Sequence, residues 1–248
     1  VKTTTSDWYS FNIGSENIGK LIVDNNNYKW ILTRDGKFVV FNDNNTISNP
    51  HDDTYKIIST TKGQGGLPEA ANCMAVDKNG TVWIGTNDGL AQFYSTSKIF
   101  KQGTNYDASR ILVPRNDGSN QADYLLSGES VLSICVDDAN NLWVGTKNGA
   151  FHIANNGLTE YDHFTQENSP LLSNNVIDIA INKYGDIFFG TDKGIISLRG
   201  RATEGKKTNS DVVVYPNPVR QGYSGLVGIK NLVTNSLVKI TTVDGAFV

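Results

Sequence analysis

Short apolar runs alternate in this chain with tight polar clusters, and the spacing between them repeats. Cys73-Met74-Ala75-Val76 is apolar without polar alternation, as suits a strand covered on both faces. Asp77-Lys78-Asn79-Gly80 follows, with Asp at the first and Gly at the last place of a turn. The Asp side chain accepts from backbone N–H groups two residues on, and Gly tolerates a left-handed backbone. Thr81-Val82-Trp83-Ile84-Gly85, rich in β-branched and aromatic residues, predicts a second strand. Thr86-Asn87-Asp88-Gly89 predicts another turn, and Leu90 onward to Tyr94 a third strand. The unit is a three-stranded β-meander.

The chain writes this unit four times. The copies run Asp24 to Trp30 to Gly36, Asp77 to Trp83 (with Gly85) to Gly89, Asp137 to Trp143 (with Gly145) to Gly149, and Asn182 to Phe188 (with Gly190) to Gly194. In each, the Asp or Asn lies six residues before the aromatic and the turn Gly six after it. Successive aromatics are 53, 60 and 45 residues apart, near the blade length of a β-propeller. A helical solenoid needs a 3.6-residue period that is absent, and a parallel β-helix repeats over far fewer residues. The variable stretches after each third strand have room for a fourth strand and a crossover; Gly65-Gly66-Leu67-Pro68 and Ser169-Pro170-Leu171-Leu172 read as such crossovers. The aromatics are expected in the core.

The expected fold is all-β: propeller blades over residues 1–200, four of them recognisable and forming part of a larger propeller, a linker over 201–210, and a second β-module over 211–248. Residues 212–215, 227–229 and 237–241 read as strands of that module. Residues 7–11 read either as the missing outer strand of the fourth blade, closing a ring, or as the last strand of an upstream blade. The second reading is preferred, and the chain is expected to be a piece of a longer protein.

Hydrophobic residues make up 38% and charged residues 19% of the 248 positions, as in a globular protein, and no apolar run is long enough to span a bilayer. A net charge of −3 argues against a nucleic-acid surface. The basic stretch Arg199, Arg201, Lys206 and Lys207 reads as a solvated linker. The two cysteines fall in apolar runs at different register positions and read as buried free thiols. No catalytic or cofactor motif is present. Gly222-Tyr223-Ser224-Gly225-Leu226 lacks the last Gly of a nucleophile elbow, and Gly63-Gln64-Gly65 lacks the third Gly of a dinucleotide fingerprint. His51, His152 and His163 have no metal spacing, and His152 reads as a structural histidine. Asn42, Asn44, Thr46 and Asp53 lack the Gly and Glu of a calcium loop. The expectation is a non-enzymatic protein with no cofactor, no metal and no nucleic-acid partner; its ligand-binding residues are not identifiable.

The repeat wording, apolar-D-x-x-G-x-aromatic-W-I-G-T-x-x-G, resembles the two-component-regulator propeller repeat over about residues 12–198. It departs at Leu32, where the repeat has Gly, and at Asn182 and Phe188. Past the blades, Val212-Val213-Val214 followed by Tyr215, Pro216, Asn217 and Pro218 resembles the opening of the type A C-terminal sorting domain of the type IX (Por) secretion system, a β-sandwich. Val238-Lys239-Ile240 with Asp244-Gly245 resembles its next motif, with shifted spacing, and the rest of the sandwich is absent. Propeller plus sorting domain is similar to a surface component of that secretion system. The resemblance implies a place on the extracellular face of the outer membrane, partnership with the sortase in an attachment complex, and binding of anionic lipopolysaccharide or another glycan. Two alternatives stand beside it: the ectodomain of a hybrid two-component sensor that binds a glycan, and an exported cargo protein of the same secretion system.

Overall fold

The computed structural model describes residues 8–11, 13–14, 17–34, 37–115, 117–200, 205, 208, 211–218, 220–225, 227–233 and 236–241. Gly36, most of 201–210, and Asp244-Gly245 lie outside these.

The fold is all-β and built of propeller blades. Blade 1 is a four-stranded antiparallel sheet of β1 (Ile18–Val23), β2 (Lys29–Thr33), β3 (Phe38–Asn42) and β4 (Thr54–Ile58). Blade 2 contains β5 (Ala71–Val76), β6 (Val82–Thr86) and β7 (Gly89–Phe93), with a single bridge from Gln92 to Ser109 where a fourth strand would run. The hairpin β8 (Leu112–Pro114) and β9 (Ala122–Tyr124) follows as an insertion. Blade 3 has β10 (Val131–Val136), β11 (Leu142–Thr146), β12 (Gly149–Ile153) and β13 (Glu160–Phe164). Blade 4 has β14 (Val176–Ile181), β15 (Ile187–Thr191) and β16 (Gly194–Leu198). The strands β17 (Val213–Tyr215) and β18 (Gly228–Lys230) form a separate antiparallel pair.

Each first strand starts two or three residues earlier than its apolar run suggests, because its second residue sits in a β-bulge: between Ile18 and Lys20, Ala71 and Cys73, Val131 and Ser133, and Val176 and Asp178. The extra residue breaks the two-residue alternation that marks a strand in sequence. The D-x-x-G turns close as the residue types require. Their last positions carry positive φ, with Asn27 and Asn140 serving where copies two and four have Gly80 and Gly185. The Thr of each W-I-G-T segment ties the second hairpin: the hydroxyls of Thr86, Thr146 and Thr191 donate to the carbonyls of Gly89, Gly149 and Gly194 at 3.0, 3.2 and 2.9 Å. Copy one is a residue longer here, and Thr33 donates to Lys37 instead.

The first strands stand side by side in the order β1, β5, β10, β14, and the core lies between the blades they open. Trp30, Phe38 and Val40 of blade 1 pack on Met74, Val82, Ile84 and Phe93 of blade 2. Cys73, Trp83 and Leu90 of blade 2 pack on Val131, Leu142 and Val144 of blade 3. Trp143 and Ala150 of blade 3 pack on Val176, Ile179, Ile187 and Phe189 of blade 4. Each Trp therefore faces the following blade. Phe188 holds the same position in blade 4 and is 37% exposed, because no described blade follows.

The Gly two residues after the Trp sets how closely blades approach. A Cβ on Gly85 would lie 2.5 Å from Val131 Cγ1, and one on Gly145 would lie 2.9 Å from the carbonyl oxygen of Val176. Blade 1 has Leu32 at that place, and blade 2 answers with Ala71 where the later blades have Val131 and Val176. Leu32 and Ala71 pack against the same cluster. The departure from the repeat is thus compensated across the blade interface.

Residues 8–11 form no strand. Phe11 packs on Phe41 with centroids 5.1 Å apart, and Ile13 joins Ile31, Val39 and Phe41 on the outer face of blade 1. Phe11 and Ile13 therefore sit against the first blade, and residues 8–11 do not supply the fourth strand of blade 4. The expected strand over 237–241 is not formed either: residues 237–240 carry no ladder, and Leu237 and Ile240 are exposed. Only Thr241 at the end of the run is a bridge residue, and β-propensity alone does not make a strand. The first strands expected to be covered on both faces are so in β5 and β10, whereas Leu21, Val23 and Ile177 at the two ends of the arc are exposed.

Candidate functional site: a cleft between blades 3 and 4

The repeated Asp does more than close a turn. Asp77 Oδ1 accepts from the amides of Asn79 and Thr81 at 2.8 and 2.9 Å, while Oδ2 accepts from the indole N–H of Trp83 at 3.1 Å. Asp24 holds Asn26, Tyr28 and Trp30 in the same way, with the indole at 3.1 Å. Asp137 accepts from the Asn141 amide at 2.8 Å and the Trp143 indole at 3.2 Å. A buried indole N–H needs an acceptor, and the carboxylate six residues upstream is it. Copy four changes both members together. Phe188 has no N–H, and Asn182 keeps the turn by accepting from the Tyr184 and Asp186 amides at 2.8 and 3.0 Å.

In blade 3 this clamp becomes the wall of a cleft of about 630 Å³ between blades 3 and 4. His152, opposite Trp143 in the β11–β12 ladder, stacks on its indole with centroids 4.1 Å apart and planes at 12°. Its Nδ1 lies 3.3 Å from Asp162 Oδ2 on the neighbouring β13, and its Nε2 lies 3.7 Å from Asp137 Oδ2. Tyr161 tilts against the imidazole at 5.0 Å. Ile187, Leu198 and Arg199 form the opposite wall. Burial alone would push the Asp137 carboxyl up; the facing His152, the Asn141 amide and the Trp143 indole outweigh it and hold it below the ordinary carboxylate value. The lining thus sets Asp137 and Asp162 against the two ring nitrogens of His152, with Arg199, 3.6 Å from Asp186, on the other wall.

The lining holds no serine, threonine or cysteine nucleophile, and Asp137 is already engaged by backbone and indole donors. Among the described residues no group of three His, Cys, Asp or Glu is arranged to hold a metal ion. No described helix is long and apolar enough to cross a membrane.

The residues singled out in the sequence divide into two sets. Asp24 and Trp30, Asp77 and Trp83, and Asp137 and Trp143 are brought together as clamps; Gly85 and Gly145 sit at blade contacts; Gly89, Gly149 and Gly194 carry positive φ in hairpin turns. A Cβ on Gly190 would meet only ordinary van der Waals contact, its nearest atom 3.5 Å away. Tyr215, Pro216, Asn217 and Pro218 lie apart from the clamps: Tyr215 ends β17 opposite Gly228, with the Lys230 ammonium 4.7 Å from its ring centre, and both X-Pro bonds of the motif are cis. Cys73 is buried and Cys135 half-buried, both as free thiols; burial pushes Cys73 up to about 12. The loop at Gly63 binds the chain's own Asp107, whose carboxylate accepts from the Gly63 and Gly65 amides at 2.7 and 3.1 Å. Sequence reasoning treated His152 as a structural residue. The signal for more was a His in the row of the third Trp with Asp162 ten residues on, and it becomes legible only once the β12–β13 register is known.

Two stretches, residues 65–88 and 125–148, match the family model described as a two component regulator propeller. The fold is that of a β-propeller, and the matched stretches fall in blades 2 and 3. Among solved structures the chain is similar to PorZ of Porphyromonas gingivalis, described as an essential bacterial surface component of the type IX secretion system. Identity is 29% and the TM-score 0.66, over 93% of this chain and 32% of that one. Two extracellular domains assigned to hybrid two component systems of B. thetaiotaomicron share the fold at 19% and 18% identity, with TM-scores of 0.51 and 0.54. They align over 82% of this chain and 23% and 25% of theirs. No curated protein sequence matches significantly. The chain spans about a third or less of the length of these structures.

Proposed function

We propose that this chain is part of a non-enzymatic cell-surface component of the type IX secretion system, acting at the extracellular face of the outer membrane with the sortase of an attachment complex. In this reading it binds lipopolysaccharide or a related glycan and assists the anchoring of secreted cargo. The observation that carries the reading is the likeness to PorZ, which covers 93% of the chain and so extends past residues 1–200 into the module after the blades. That module, with Tyr215, Pro216, Asn217 and Pro218 closing β17, is read as the start of a C-terminal sorting domain.

The test is deletion of the full gene in its native host, followed by fractionation of several unrelated sorting-domain cargo proteins. Loss of the lipopolysaccharide anchor from all of them is the expected result. Normal anchoring of every other cargo would overturn the reading and leave a sensor ectodomain or a cargo protein.

A further inference from the structure

His152 lies between two carboxylates, and a neutral imidazole can serve only one of them. Nδ1 is 3.3 Å from Asp162 Oδ2 on β13, and Nε2 is 3.7 Å from Asp137 Oδ2 in the β10–β11 turn. The neutral ring has a single N–H. Placed on Nδ1, it leaves the Nε2 lone pair facing the Asp137 carboxylate; placed on Nε2, it leaves the Nδ1 lone pair facing Asp162. Nε2 is buried and has no hydrogen-bond partner as it stands, and a buried polar atom left so is destabilising. Only the doubly protonated ring offers an N–H to each carboxylate.

The other surroundings suit a cation. The ring stacks on the Trp143 indole at 4.1 Å and 12°, against the electron-rich face. Tyr161 of β13 tilts against it at 5.0 Å. Arg199 on the far wall of the cleft is the group of like sign, and it pairs with Asp186. His163, the next histidine of β13, stacks on Phe151 and reaches the Asn148 carbonyl instead. With 17% of its side chain exposed, His152 can exchange protons with solvent. The residue opposite the clamp aromatic is Val40 in blade 1, Gln92 in blade 2 and Ser197 in blade 4, so the arrangement belongs to blade 3 alone. Both carboxylates and the indole lie in that blade, whose four strands are complete.

We propose that His152 is a proton-operated clasp of blade 3. With its second proton the ring donates Nδ1–H to Asp162 and Nε2–H to Asp137, and so ties the outer strand β13 to the first turn of the blade. Without it the ring releases one carboxylate, and β13 is held by its ladder alone. Histidines change charge between about pH 5 and 8, so the clasp closes on mild acidification. Stability gained on protonation is present at the acid end of that range and is lost as pH rises. Asp137 stays ionised throughout: burial alone would raise its carboxyl, but His152, the Asn141 amide and the Trp143 indole outweigh it. This inference stands independently of the secretion reading.

The experiment combines nitrogen NMR of the His152 ring, which counts its protons, with amide hydrogen exchange of the 248-residue chain, corrected for the intrinsic effect of pH. One ring nitrogen is expected to carry a proton at about pH 8 and both at about pH 5.5. Protection of the Tyr161, Asp162 and His163 amides is expected to rise by about two- to five-fold over the same interval, the worth of one partly exposed charged contact. Protection in β7 of blade 2 serves as the control and should stay level. His152→Gln, which copies Gln92, should abolish the rise, and Asp162→Asn should reduce it, with both variants checked by circular dichroism. The wild-type measurement stands without either variant. The proposal is overturned by a ring with the same number of protons at both pH values, by β13 protection that is unchanged or falls on acidification, or by an equal rise in His152→Gln. A rise shared equally by β7 would mark a global effect and would also overturn it.

Discussion

Asp77→Asn tests whether the clamp is a coupled unit. The substitution keeps Oδ1 as acceptor for Asn79 and Thr81, but turns the oxygen that faces Trp83 into an NH2 group. Two donors then face each other beside an almost fully buried indole. An unsatisfied buried donor costs about 1–3 kcal/mol, and two in contact give an expected loss of about 2–4 kcal/mol. Trp83→Phe removes the indole donor and leaves a gap, for about 2 kcal/mol. In the double variant the NH2 no longer opposes a donor, and the pair matches the natural Asn182 and Phe188. The double variant should therefore be about 1–2 kcal/mol more stable than the sum of the singles predicts. Urea unfolding followed by far-ultraviolet circular dichroism measures all four proteins without relying on the lost Trp, and unchanged slopes confirm a common transition. In blade 4, Phe188→Trp should need no such partner, since its half-exposed indole finds water. Additivity within about 0.3 kcal/mol at the Asp77 and Trp83 pair would refute the clamp.

Gly145→Ala should cost about 1–3 kcal/mol by overpacking, because its Cβ would lie 2.6 Å from Ser133 Oγ and 2.9 Å from the Val176 carbonyl, whereas Gly190→Ala, with nothing closer than 3.5 Å, should be nearly neutral in the same melt. Cys73, with its thiol pushed up to about 12, should resist a disulfide-exchange reagent at pH 8 until the protein unfolds; rapid labelling of the native protein would place it outside the core. Asp137 titrates below its ordinary value when folded, so its contribution to stability is complete above the unfolded carboxyl value and is lost as pH falls through the folded one. The stability gap between the wild type and Asp137→Asn should accordingly shrink with acidification below about pH 4, and a gap that widens there would reverse the sign.

Much of the fold is written locally, because each meander closes within its own turns. Asp77 to Gly80 and Thr86 to Gly89 need only near neighbours to form, and the sequence spells both. The outer strands are less legible: β4 and β13 share no wording, since an edge strand needs only a partner on one side. Leu32 looked like a defect until Ala71 was seen across the blade interface. The cleft was hidden for the same reason. His152 and Asp162 meet through a ladder whose register shifts by one residue at Ile153. Asp137 was read as a turn former, because its second bond goes to a side chain six residues away and not to the backbone.

Because every clamp Trp leans on the blade after it, loss of order at the two ends is not equivalent. Fraying of blade 1 carries off Trp30 with its own sheet and leaves Trp83 and Trp143 covered. Fraying of blade 4 strips Phe189 and Ile187 from Trp143 while blade 3 stays folded. Intrinsic emission therefore distinguishes the direction of unravelling: a single indole reddens before secondary structure in its own blade is lost when the array opens from the C-terminal side. The array carries a built-in polarity, readable by light.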